Sequence, residues 1–257
     1  MNISLNGKTA VVCGCTGGIG KAIATQFALS GASLILVARN QDKLSELADS
    51  LPGTHKTYVA DFANTDEVAE VAAKIAAENI VHILVNNTGG PPAGPAHKAS
   101  AAEYLAAFNL HLINNHNMVQ ACIPSMQTAG YGRIINVIST SVKIPLANLG
   151  VSNTIRGAVG NWSKTLANEL GPMGITVNNI LPGATATERL SSIISGKSGK
   201  TGKSIAEVEK EMLAEIPAAR FGQPEEPGYA ACFLASEYAA YINGTNVVVD
   251  GGRTGNL

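Results

Sequence analysis

Two short stretches of this 257-residue chain carry groups able to do chemistry on a small molecule. In GCTGGIG (14–20), the glycines Gly14, Gly18 and Gly20 follow an apolar run and open a helical pattern. Glycines in that setting let the backbone turn tightly and approach a pyrophosphate, which then rests at the start of the helix. Cys15, Thr16 and Ile19 belong to the same expected binding turn. The second stretch is SNTIR (152–156), the first turn of a long helical pattern. Ser152 and Arg156 stand four residues apart and share one helix face. Ser139, thirteen residues before Ser152, closes a β-rich run. Two hydroxyls with a guanidinium suit the binding and polarisation of a carbonyl or alcohol oxygen. They are a poor proton source, because an aliphatic hydroxyl is a far weaker acid than a phenol of pKa about 10. The guanidinium effectively never deprotonates. Losing general acid–base help costs on the order of 10² to 10⁴ in rate.

Short β-rich runs placed between helical patterns must hold these groups. The strands read KTAVVC (8–13), SLILVA (33–38), HKTYVA (55–60), VHILVN (81–86), GRIINVIS (132–139), GITVNNIL (174–181) and NVVVD (246–250). Helices are expected from the glycine turn to about Ser30, over 41–51, 65–79 and 101–129, and from SNTIR onward. The alternation predicts an α/β fold: one Rossmann-type, doubly wound parallel sheet of about seven strands with helices on both faces, spanning 1–257 as a single domain. Residues 184–215 break the rhythm and are expected to form a mobile substrate flap at the carboxyl edge of the sheet. Inside them, GKSGKTGKS (196–204) imitates a phosphate loop, but Ile194, Lys197 and Ser191 stand where that motif needs its first glycine.

A net charge of −1 offers no basic face for nucleic acid and no polybasic membrane patch. The N-terminus, MNISLNGKTAVV, lacks the layout of a signal peptide, and no apolar run approaches the roughly 20 residues of a membrane span. The expectation is a cytoplasmic protein acting on a small molecule, with neither membrane nor nucleic acid as partner. Cys13, Cys15, Cys122 and Cys232 show neither a disulfide framework nor zinc-ligand spacing, so no metal is expected. They read as small buried residues, with a redox-sensitive Cys15 as the minor alternative. At the end of the second strand stands Arg39, where an acid would accept the ribose 2′-hydroxyl of NAD. A guanidinium suits a 2′-phosphate, so NADP(H) is favoured over NAD(H); the alternative is an exposed arginine at a helix start.

The glycine pattern, Asp61 after the third strand, NNTG (86–89) after the fourth, PG (182–183) after the sixth and DGG (250–252) resemble the short-chain dehydrogenase/reductase family along essentially the whole chain. The likeness is nearest to its 3-oxoacyl-carrier-protein-reductase-like members, in a subgroup with Ser-Asn-x-x-Arg in place of Tyr-x-x-x-Lys. Cys13 and Thr88 depart from the usual Thr and Ala. The resemblance implies that Asp61, Phe62, Asn87, Thr88 and Gly89 line the adenosine side of a dinucleotide cleft. Asn86 and Asn87 have a second reading, tying neighbouring strands together. Pro182, Gly183, Thr185 and Thr187 would hold the nicotinamide end. The family's catalytic Ser corresponds to Ser139, its Tyr to Ser152 and its Lys to Arg156. His111 falls where an Asn is expected, with Asn109 as the alternative register. An imidazole titrating near pH 6.5 can relay a proton to a serine; the other reading is a packed helix residue. His97, in the proline-rich loop GGPPAGPAH (89–97), faces substrate or solvent, with solvent favoured. The implied activity is oxidoreduction of a carbonyl or alcohol, a 3-oxoacyl thioester among the candidates, in a homotetramer or dimer. The rival is a catalytically weak dinucleotide-binding protein serving as sensor or oligomer partner.

Overall fold

The structure is a computed structural model that describes residues 2–256. Its strands are β1 (Thr9–Cys13), β2 (Ser33–Ala38), β3 (Lys56–Val59), β4 (Ile83–Asn86), β5 (Gly132–Val137), β6 (Ile175–Pro182) and β7 (Asn246–Val249). All pair in parallel, in the order β3-β2-β1-β4-β5-β6-β7. A parallel sheet covered on both faces needs near-continuous apolar strands, and β1, β4 and β5 are buried along almost all their length. Successive side chains serve opposite faces: Ala10 and Val12 pack with Ile23, Phe27 and Leu36, whereas Val11 and Cys13 pack with Ile35, Val68, Ile75 and Met118.

The helices are α1 (Gly18–Leu29), α2 (Gln41–Ser50), α3 (Thr65–Glu78), α4 (Ala101–Phe108), α5 (Asn114–Thr128), α6 (Gly150–Leu170), α7 (Glu188–Thr201), α8 (Ile205–Ala214) and α9 (Glu225–Ala235). Their starts follow local chemistry: Asn40 and Asn64 accept from first-turn N–H groups of α2 and α3, and Ser100 with Glu103 and Ser204 with Glu207 form capping boxes on α4 and α8. The strand order places the reversal between β1 and β4, the crevice where doubly wound sheets bind ligands.

Three features differ from the sequence reading. The expected single helix over 101–129 is interrupted by a π turn, Asn109–Ile113, in which the Asn114 N–H bonds Asn109 O. Apolar spacing continues on both sides of such an insertion, so periodicity conceals it. Residues 184–215, expected only as a flap without assigned elements, hold two helices, α7 and α8, packed through Leu190, Ile194, Val208 and Met212. The GKSGKTGKS stretch finishes α7, turns at Gly202 (φ +72°) and starts α8 at Ser204. Helix α9 was not anticipated: its small residues give little amphipathic signal, and they bring it against α1, where Gly228 faces Ala22 and Gln26.

A row of asparagines, three buried and the fourth, Asn246, half-buried, crosses four neighbouring strands in register. Asn86 Nδ2 donates to Asn136 Oδ1 (2.8 Å), Asn136 Nδ2 to Asn179 Oδ1 (3.2 Å), and Asn179 Nδ2 to Asn246 Oδ1 (2.8 Å). Asn136 also donates to Ser163 Oγ of α6, fastening that helix to the sheet. Among the described residues, no helix is long and apolar enough to cross a membrane, and no group of three His, Cys, Asp or Glu side chains is placed to hold a metal ion.

Candidate functional site

The glycine turn lies at the end of β1, and its glycines answer steric demands. Gly14 and Gly18 hold left-handed backbone (φ +59° and +50°), which side chains strain to adopt. A β-carbon on Gly20 would meet Gly14 O at 2.1 Å, and one on Gly14 would meet Asn87 O at 2.5 Å. Asn87 Nδ2 donates to Cys13 O (3.3 Å) and Gly14 O (3.1 Å), fixing the turn to the end of β4. The turn delivers the chain into α1 with no side-chain cap at Gly17 and no acid in the first turn, unlike α2, α3 and α7. Its leading N–H groups remain available to an anion.

The neighbours sort by what they can offer. Arg39 is exposed beyond β2 and joins none of the ion pairs formed among the described residues, while Asn40 is committed to capping α2. Asp61 Oδ1 accepts from Ala63 N (3.0 Å). Cys15 and Phe62 turn their side chains into the core. Cys15 is fully buried, with its Sγ directed at Val37 O, and burial pushes its thiol up to about 12, so the redox alternative gains nothing. Phe62 packs in the core, and its carbonyl accepts from Asn114 Nδ2 (2.6 Å). Thr16 and Ile19 are partly buried beside the turn, and Gly89 is open, with nothing within 4 Å of its β position.

The β6 side closes on the same turn. Gly183 must be glycine because a β-carbon would lie 2.6 Å from Asp250 Cβ, and its N–H bonds Val249 O. Thr185 is buried and donates to Gly183 O; Thr187 donates to Thr185 O and caps α7. The Thr187 methyl comes within 3.1 Å of the β position of Gly18, so the segment after Pro182 faces the glycine turn directly.

The proposed chemical group gathers at the end of β5. Ser139 follows the strand and accepts from Ser141 N (3.1 Å), leaving its hydroxyl hydrogen to a ligand. Ser152 is half-buried in the first turn of α6, and one turn later Arg156 is buried, donating from Nη1 to Val137 O (2.9 Å). Burial, with the nearby Arg189 charge, lowers Arg156 to about 10, so it remains a cation at neutral pH. The segment after NNTG braces that helix: Gly94 N bonds Asn148 O and Gly150 N bonds Gly94 O, both at 2.9 Å. His97 in this loop is exposed, as expected.

His111 sits on the π turn, 2 % exposed, with Nδ1 2.8 Å from Thr88 Oγ1 and Nε2 unpartnered. Burial, reinforced by the Arg156 charge, lowers it to about 2. It is therefore neutral throughout the physiological range, which corrects the expectation of an imidazole titrating near pH 6.5. Asn109 begins the same turn, half-buried, so the ungapped register at His111 is the one that faces Thr88. Sequence reasoning missed Arg189, whose Nη2 reaches Pro91 O (2.7 Å) across the cleft mouth, because a lone arginine after TATE carries no motif.

Comparison with known proteins agrees with this architecture. A family model described as Enoyl-(Acyl carrier protein) reductase matches residues 14–254. The chain belongs to the short-chain dehydrogenase/reductase family. Among its relatives in that family, D-threitol dehydrogenase of Mycolicibacterium smegmatis is 35 % identical over 254 residues, covering 97 % of this chain and 94 % of the relative. The 3-oxoacyl-(acyl-carrier-protein) reductase of Rickettsia bellii is 32 % identical over 252 residues, covering 97 % and 98 %. The crystal structure of L-sorbose reductase from Gluconobacter frateurii, complexed with NADPH and L-sorbose, superposes with a TM-score of 0.93 at 31 % identity, with both chains fully covered. These short-chain family members are dehydrogenases and reductases of alcohol and carbonyl groups, and this chain is an oxidoreductase of the same type.

Proposed function

We propose that the protein is an NADP(H)-dependent oxidoreductase that interconverts a carbonyl and an alcohol on a small molecule. The observation that carries the reading is the uncapped start of α1 behind Gly14, Gly18 and Gly20, faced by Thr187 from the β6 side. When bound, the dinucleotide supplies or accepts the hydride. The leading N–H groups of α1 would hold its pyrophosphate, Arg39 its 2′-phosphate, Asp61 and Asn87 to Gly89 its adenosine side, and Pro182 to Thr187 its nicotinamide end. The relatives support the choice of cofactor, since the solved L-sorbose reductase carries NADPH.

Within this chain, Ser139 donates its hydroxyl hydrogen to the substrate oxygen and Ser152 completes the pair. Arg156 places a desolvated positive charge beside them, where a developing alkoxide is stabilised. Neutral His111 holds Thr88, and through it the loop after β4. The proton comes from bulk solvent through the Ser139 and Ser152 hydroxyls, which can pass it on but are too weakly acidic to be its source. Calorimetric titration with NADPH and NADH, followed by a carbonyl screen with Arg156→Ala as control, tests the reading. NADPH should bind more tightly, and carbonyl-dependent NADPH oxidation should disappear in the variant.

The altered Tyr and Lys positions also favour a second reading, a dinucleotide-binding protein of little activity. It would win if NADPH bound and only the Ser152→Tyr, Arg156→Lys double variant turned over.

A further inference from the structure

Two guanidinium groups converge on one point in the cleft, and among the described residues neither forms an ion pair with a carboxylate. The point is where a β-carbon would stand on Gly90: Arg189 Nη2 is 3.4 Å from it and Arg156 Nη2 is 3.7 Å. Arg156 is only 8 % exposed, and its Nε has no partner. Arg189 is held there by its bond to Pro91 O. The acids that form ion pairs among the described residues, Glu211, Glu215 and Glu226, are all engaged by other cations. Like charges at this range, one of them desolvated, oppose each other unless an anion joins them. Gly90 is not among the residues with positive φ, so its backbone does not demand glycine. A β-carbon here would touch both forks, so the missing side chain leaves the two Nη2 groups uncovered on this side.

We propose that Arg189 and Arg156 bind an anionic group of the substrate, a carboxylate or a phosphate, at the space over Gly90. The substrate is then an oxo or hydroxy acid, or a phosphorylated equivalent, rather than a neutral ketone or sugar. This rests on the oxidoreductase reading of the same cleft. Guanidinium forks match both oxyanions in charge and in paired hydrogen-bond geometry. Arg189 selects for the charge, and Arg156 serves both this group and the reacting oxygen. Because α7 carries Arg189, an anion over Gly90 also ties that helix to the loop after β4.

The test is equilibrium binding to the full chain of acetoacetate, pyruvate and levulinate, each against its methyl ester, and of inorganic phosphate. Titrations run with and without NADP⁺, which cannot reduce these oxo compounds, so binding is read without turnover. At least one acid should bind about tenfold tighter than its ester, and Arg189→Met should erase that preference without changing the NADP⁺ affinity. Phosphate binding in place of the acids, lost in the same variant, would assign the phosphorylated source. Gly90→Ala, which sets a methyl against both forks and alters no charge, should weaken the same ligand. Equal affinity for every acid and ester with no phosphate binding overturns the proposal, as does a preference that survives Arg189→Met. A parallel loss of NADP⁺ affinity in that variant also overturns it, since the guanidinium would then serve the dinucleotide. Failure of the oxidoreductase reading looks different: neither NADPH nor NADP⁺ binds, while the titrations without cofactor still report on the anion.

Discussion

His111 Nδ1 and Thr88 Oγ1 lie 2.8 Å apart, joining the π turn of the α4–α5 helix to the loop after β4. Both residues depart from what the family resemblance leads one to expect, and the hydrogen bond makes them one change rather than two. A hydroxyl at Thr88 gives the buried imidazole a partner, and the imidazole takes the place of a shorter amide.

Coupling between the two should be measurable. Thr88→Ala and His111→Asn are each expected to destabilise the fold, and the double variant less than the two together. A double-mutant cycle by urea unfolding should return an interaction of about 1 kcal/mol. Strict additivity would mean that the contact contributes nothing.

Stability should fall with acid in a way that His111 partly controls. Below about 6.5 the unfolded chain gains a proton on this imidazole, whereas the folded chain resists protonation down to about 2. The unfolded state therefore binds more protons across that window, and the contribution present above pH 6.5 is lost as pH drops. His111→Asn should flatten the decline by up to about 1.4 kcal/mol per pH unit between pH 6 and 4, read from urea midpoints. An unchanged slope would show that the ring is accessible to water.

Arg156 is buried and paired with no acid among the described residues, so it should be a burden on the fold. Arg156→Met is expected to raise stability by about 1–2 kcal/mol even after the bond to Val137 O is lost, because a desolvated charge disappears. The same variant should lower turnover by roughly 10²-fold or more. A lower melting temperature would mean that the charge is compensated in solution.

Removing the exposed guanidinium at Arg39 should act on cofactor choice alone. Arg39→Ala is expected to weaken NADPH by roughly 10- to 100-fold and leave NADH little changed, as for one charged pair. Equal losses for both would move the 2′-phosphate site elsewhere.

The legible parts were those governed by local rules. Seven strands could be read because parallel, doubly covered strands are short apolar runs, and the glycine turn because Gly14, Gly18 and Gly20 follow the first of them. The π turn was hidden because its extra residue leaves the apolar spacing intact on either side. Burial was hidden too: nothing in the string TGGPP shows that Gly90 lies between two arginines from segments far apart in the chain. The fate of His111 follows from the same limit, since its ordinary titration range gives no hint of its enclosure beside Arg156.

The asparagine row has a direction. Each amide from Asn86 to Asn179 gives its hydrogen toward β7, and Asn136 and Asn179 receive from the side of β4, so the dipoles add instead of cancelling. Turning one amide over would set donor against donor on one side and acceptor against acceptor on the other, so the row can reverse only as a whole. Its acceptor end is Asn86 Oδ1, buried and without a partner among the described residues, on β4, the strand that leads into the Asn87–Gly89 loop. The sheet thus carries a sideways polarity, distinct from the lengthwise fields of its helices, with the negative end at the strand beside the glycine turn.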